Sequence, residues 1–130
     1  MRAIDAFRII PKTDGSAGTL LFGDRPVMPL PARIVEAQFQ LHDTGYVVFA
    51  TQDSPFEEEL TILCLDAGLG ERDRLSIGRP YTPGLLEDVT PTGPTRITFR
   101  FARPEPRTLD VTPRRVLGLG RIRWLRLISK

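Results

Sequence analysis

The sequence predicts an all-β protein: seven or eight short antiparallel strands, linked by meander-like hairpins into a sandwich or a partly open barrel. Three observations carry that expectation. Twelve prolines and eleven glycines are spread through 130 residues and cut the chain into short segments, which favours strands over helices. Several segments alternate apolar and polar side chains with a period of two, the pattern of a half-buried strand. Other apolar runs are rich in β-branched and aromatic residues, the types that pack well on a pleated surface. A composition of 41% hydrophobic and 26% charged residues is that of a folded globular chain, and the length suits one β domain over residues 1–130.

Taken in order, Ala3 to Ile10 makes a first strand that stops at Pro11, and Asp14 to Gly18 makes a turn. Thr19 to Phe22 is a short apolar piece closed by Gly23. Pro26, Pro29 and Pro31 remove amide donors and impose extended geometry, so residues 26–31 read as a covering loop rather than a docking peptide. Val35, Ala37, Phe39 and Leu41 then alternate with polar neighbours; His42 to Gly45 turns the chain, and Tyr46 to Thr51 returns as the second strand of a hairpin.

A second hairpin runs from Leu60 to Leu65, through Asp66 to Gly70, and back along Arg72 to Ile77. Its first strand is apolar on both faces, with Leu60, Ile62 and Cys64 on one and Leu63 and Leu65 on the other, as a central strand covered on both sides requires. Tyr81 to Gly84 has the proline and glycine of a type II turn. Ile97, Phe99 and Phe101 form the apolar face of another strand, ended by Pro104 and Pro106, and Leu109 to Thr112 is a short strand before Pro113. The segment Arg121 to Lys130 fits a strand with Ile122, Trp124 and Ile128 on one face. It also fits a helix with Arg123, Arg126 and Lys130 on one side, but about ten residues are marginal for a helix on its own, so the strand is preferred.

The same residues exclude several function classes. A single cysteine, Cys64, rules out a disulfide framework, and the N-terminal charges interrupt any signal-peptide core, so a cytoplasmic location is the default expectation. No run approaches the roughly 18 apolar residues of a membrane span. Nucleophilic triads need a histidine, and the only one, His42, falls on a hairpin turn while Cys64 falls in the most apolar strand. One histidine and one cysteine are too few for a zinc site, and the Gly68–Gly70 and Gly118–Gly120 pairs lack the setting of a phosphate loop; no metal and no cofactor is expected.

Charge is distributed unevenly. Residues 1–70 hold five basic and ten acidic side chains, whereas residues 100–130 hold nine basic and two acidic. With a net charge of only +2, the expectation is that the basic tail pairs within the fold, mostly with the acidic N-terminal half. The segment Gln52 to Glu59 places four carboxylates within seven residues around Phe56. Adjacent exposed carboxylates stay solvated and lack the facing geometry of an acid–base pair, so an enzyme built on Asp53 and Glu57 to Glu59 ranks third.

The leading expectation is a non-catalytic module that binds another protein through Asp53, Phe56, Glu57, Glu58 and Tyr81, with a compact bacterial inhibitor or immunity-type protein as one concrete form. The alternative is a nucleic-acid binder using Arg121, Arg123, Trp124 and Arg126, arginines interleaved with an aromatic stacking platform.

Overall fold

Residues 46–51 and 59–65 are apolar on both strand faces, and that property decides the architecture. In the computed structural model, which describes residues 1–13, 17–52, 59–78, 85–116, 118 and 120–128, these two segments lie at the middle of the molecule. The described residues form twelve strands: β1 (Arg2–Ala3), β2 (Phe7–Pro11), β3 (Gly18–Phe22), β4 (Arg25–Leu30), β5 (Ile34–Gln40), β6 (Tyr46–Thr51), β7 (Glu59–Leu65), β8 (Glu71–Gly78), β9 (Glu87–Pro91), β10 (Arg96–Arg100), β11 (Arg107–Arg115) and β12 (Ile122–Leu127). All pairings are antiparallel. A central sheet, β1-β5-β6-β7-β8, lies between a four-stranded sheet, β12-β11-β10-β9, and a three-stranded sheet, β2-β3-β4.

The molecule is therefore a sandwich with a third layer, and not a barrel. On one face of the central sheet, Val47, Phe49, Leu60, Ile62 and Cys64 pack against Ile97, Phe99, Phe101, Leu109 and Leu125. On the other, Val48, Ala50, Leu63 and Leu65 meet Phe7, Leu20 and Leu30. The alternation read from β7 is realised residue by residue, with every side chain from Leu60 to Leu65 buried.

Several expectations are corrected. Twelve strands exceed the seven or eight expected because the segment from Ala3 to Ile10 divides between two sheets, and because the short apolar piece β3, the proline segment β4 and β9 all form strands. Gln38 on β5 holds that division: its Oε1 accepts from the Ala6 and Phe7 amides, both at 2.7 Å, and its Nε2 donates to the Phe7 carbonyl. The proline segment is strand β4 rather than a covering loop; Pro26 and Pro29 are tolerated because, among the described residues, β4 is an edge with no further strand to donate to. Along β5 the register shifts between Val35 and Ala37, so Val35 turns into the second core while Ala37, Phe39 and Leu41 face the first. Strand β11 continues through Pro113, where the register also shifts, instead of ending before it.

The C-terminal segment is a strand, because β11 supplies the hydrogen bonds that an isolated ten-residue helix would lack. Its core residue is Leu125, whereas Ile122 is 48% exposed, so the expected apolar face of Ile122, Trp124 and Ile128 is not the buried one.

Candidate functional site

One end of the stack gathers the chemically distinctive side chains. The turn from His42 to Gly45 joins β5 to β6, and the turn from Asp66 to Gly70 joins β7 to β8. The pairing of Tyr46 with Leu65 brings these turns together at the same end of the central sheet. In the first turn the Asp43 carboxylate accepts from the Gly45 amide at 3.0 Å, and Thr44 adopts a positive φ of 71°. Immediately after the second turn, β8 begins with Glu71, Arg72, Asp73 and Arg74.

Asp73 lies in phase with Leu75 and Ile77, the residues of β8 that pack on the first core, so a carboxylate occupies a core-facing position. It is used to join two sheets. Asp73 accepts the Arg123 Nε–H through both oxygens at 2.9 Å, the amides of Trp124 and Leu125 at 2.9 Å each, and the amide of Arg74 at 2.8 Å. Burial pushes its pKa up. The Arg123 guanidinium and the three amides outweigh that cost and hold the carboxyl below its ordinary value. The carboxylate thus caps β12, the edge of the four-stranded sheet, where another strand could otherwise pair.

Arg72 leaves the same strand and lies over the Trp124 ring, 3.9 Å from its centroid, while its Nη2 meets Asp43 at 2.8 Å. Gly45 makes room for it: a Cβ there would stand 2.5 Å from Arg72 Nη1 and 2.7 Å from the Leu65 carbonyl oxygen. Burial raises the Asp43 pKa, and the hydrogen bond from Arg72, the Gly45 amide and the guanidinium charge bring it below the ordinary carboxylate value.

Two depressions flank the Arg72–Trp124 stack. A polar cleft of about 410 Å³ is lined by Glu71, Arg72, Asp73, Arg74, Arg121 and Arg123. An open groove of about 160 Å³ has apolar walls from Leu41, Pro94, Val111, Pro113 and Trp124, with His42, Asp43 and Thr95 completing it. Trp124 is a wall of the groove and Arg72 is a wall of the cleft, so the stack is their common boundary.

The structure brings together only part of what the sequence suggested. Arg121 and Arg123 share the cleft and Trp124 adjoins it. Arg126 lies apart, 3.8 Å from Asp110, which also accepts from Thr95 and Thr112. Part of the basic tail pairs within the fold, and among the described residues its partners lie outside the acidic N-terminal half: Arg123 takes Asp73, Arg126 takes Asp110, and Arg100 takes Glu87 and Asp88, while Arg114, Arg115 and Arg121 make no ion pair with a described residue. One face of the expected stacking platform, Trp124, is already covered by Arg72. Asp53, Phe56, Glu57, Glu58 and Tyr81, and the type II turn at 81–84, lie outside the described residues.

Sequence reasoning missed Arg72, Asp73, Arg74 and Asp43. The available signal was Asp73 itself, a carboxylate on the core phase of an otherwise apolar alternation. Among the described residues, no group of three or more His, Cys, Asp or Glu side chains could hold a metal, and no helix is long and apolar enough to cross a membrane. Burial raises the Cys64 thiol to about 12, with Arg72 offsetting part of the effect, while His42 sits on an exposed turn. The chain matches no protein-family model, no curated protein and no solved structure.

Proposed function

We propose that this layered β protein is a non-catalytic module that binds another protein through the end of the stack carrying Trp124. The observation that supports this reading is the single tryptophan of the chain, half-buried in an open apolar groove with an arginine laid across its ring. Tryptophan and arginine are enriched where binding energy concentrates. A partly pre-formed groove beside them admits an apolar side chain without reorganisation, because Arg72 is already held by Asp43 and Trp124.

The presence of Arg121 and Arg123 in one cleft favours nucleic acid as a second reading. Against it, Arg72, Arg74 and Arg123 already face Asp43, Glu71 and Asp73, which a phosphate backbone would have to approach.

A photo-crosslinking residue introduced at Pro113, in the groove wall, tests the two readings in the native host. The expected adduct is destroyed by protease, survives nuclease and disappears when Trp124→Ala is added. An adduct sensitive to nuclease, or none at all, overturns the protein-binding reading. The salt dependence of oligonucleotide affinity gives a second measure: a log–log slope of roughly −3 to −4.5 means four or five neutralised phosphates, and a shallow slope is expected here.

A further inference from the structure

The groove and the cleft differ in chemistry yet share a wall, and this juxtaposition restricts what can cover both. The groove offers apolar surface, and its one carboxylate, Asp43, is held by Arg72. The cleft sets four guanidinium groups against two carboxylates, Glu71 and Asp73. Asp73 spends its acceptor positions on Arg123 and on three backbone amides, and Glu71 binds Arg74 at 2.8 Å. A guanidinium carries five N–H donors, so the bonds to these carboxylates leave donors over on Arg74 and Arg123. Arg121 is exposed, and its guanidinium makes no hydrogen bond or ion pair with any described residue, its one bond being that of its backbone carbonyl, which accepts from the Val116 amide at 3.4 Å. The cleft therefore retains net positive charge and open donors suited to carboxylate oxygens.

Resting on the reading of the protein as a protein-binding module, we propose that groove and cleft form one docking site for an acidic segment of a partner protein. That segment places one apolar side chain against Pro113 and Trp124 and a neighbouring carboxylate between Arg121 and Arg123. Adjacent side chains of an extended peptide are directed apart, and the Arg72–Trp124 stack is the ridge they straddle. Charge complementarity selects the occupant. A uniformly basic segment meets Arg121 and Arg123 unfavourably, and a uniformly acidic one leaves the apolar groove wet. A nucleic-acid strand would bring a phosphate at every residue past Asp43, Glu71 and Asp73, and it finds one face of Trp124 occupied.

Trp124 supplies its own reporter, as the only tryptophan in the chain. The full chain is titrated at low salt with the blocked hexapeptide Gly-Glu-Leu-Glu-Glu-Gly, and the Trp124 emission is followed. The expected result is a saturable shift, weakened about five- to tenfold by Arg121→Glu, by replacing the peptide's leucine with serine, or by 0.5 M salt. The Arg121 side chain makes no described hydrogen bond or ion pair, and the backbone bond from Val116 to its carbonyl survives the substitution, so the melting temperature of Arg121→Glu should stay at the wild-type value. No shift at millimolar peptide, or an equal response to a peptide with lysine in place of glutamate, overturns the proposal. So does an unaltered affinity in Arg121→Glu. A stronger shift with a single-stranded oligonucleotide overturns it in favour of nucleic acid. A concentration-dependent shift without peptide, lost in Arg121→Glu, overturns it in favour of a second copy of this chain, whose residues 52–59 carry a phenylalanine among carboxylates. Failure here is distinguishable from failure of the protein-binding reading, because the Pro113 crosslink reports a protein partner of any charge.

Discussion

Replacing Asp73 by alanine should remove, at one stroke, the polar contacts that this carboxylate adds to the apolar packing between the central and four-stranded sheets. The carboxylate accepts from Arg123, from two amides of the edge strand β12 and from the Arg74 amide, all at 2.8–2.9 Å. Its side chain is 7% exposed and that of Arg123 is 21% exposed, so the variant leaves a guanidinium largely desolvated without its counter-charge. Breaking one partner of such a pair costs about 3–5 kcal/mol, a large share of the roughly 5–15 kcal/mol that holds a typical domain together. Asp73→Asn keeps one acceptor oxygen and should lose about 2–3 kcal/mol. Chemical denaturation measures both, and a double-mutant cycle with Arg123→Met isolates the ion pair, with an expected coupling of about 1.5–3 kcal/mol. A loss below about 1 kcal/mol in Asp73→Ala would refute the reasoning, because it would mean that water replaces the carboxylate without penalty.

The pH dependence follows from the same contacts. Asp73 and Asp43 both have folded-state pKa values below their ordinary values. Each therefore binds its proton more readily in the unfolded chain, whose carboxyls titrate near 4. Their contribution is fully present above about pH 5 and is lost as pH falls through 4 towards the folded-state values. Asp73→Asn should flatten the acid limb of the stability curve while leaving its slope near neutrality unchanged.

Three further outcomes are expected. Ile62, fully buried in β7 beneath the four-stranded sheet, should cost on the order of 2–5 kcal/mol when truncated to alanine, and a denaturation shift under about 1 kcal/mol would place β7 at an edge. Cys64, fully buried and with its thiol pushed up to about 12, should react with a thiol reagent far more slowly in the folded than in the unfolded protein; rapid native labelling at neutral pH would reopen a nucleophilic role. Gly45→Ala drives a methyl group into Arg72 and the Leu65 carbonyl. It should destabilise by about 1–3 kcal/mol and change Trp124 emission as the guanidinium is displaced, and unchanged emission would show that the stack tolerates the methyl group.

How much of this was legible beforehand depended on whether a residue's role is set by its neighbours in sequence. The strands β6, β7 and β10 were legible because apolar phase is a local property: Leu60, Ile62 and Cys64 must share a face wherever the strand goes, as must Ile97, Phe99 and Phe101. The doubly apolar β7 further implied layers on both sides. Where a register shift intervenes, the local rule fails: one extra residue near Glu36 turns Val35 into the other core. The proline segment misled for a related reason, because lost amide donors are costly only where a neighbouring strand needs them, and among the described residues β4 has none on its outer side.

The candidate site was scarcely legible, since its parts come from the β5–β6 turn, the start of β8 and the end of the chain. Arg123 and Asp73 are fifty residues apart, and Arg72 meets Asp43 and Trp124 from opposite directions in sequence. The sequence by itself determined the all-β class, the two-faced central strand and an excess of arginine towards the C-terminus. Only the tertiary structure decided which of those arginines are spent on buried carboxylates and which face a cleft, because pairing depends on the stacking of sheets and on edge geometry. No period or composition of the chain encodes that.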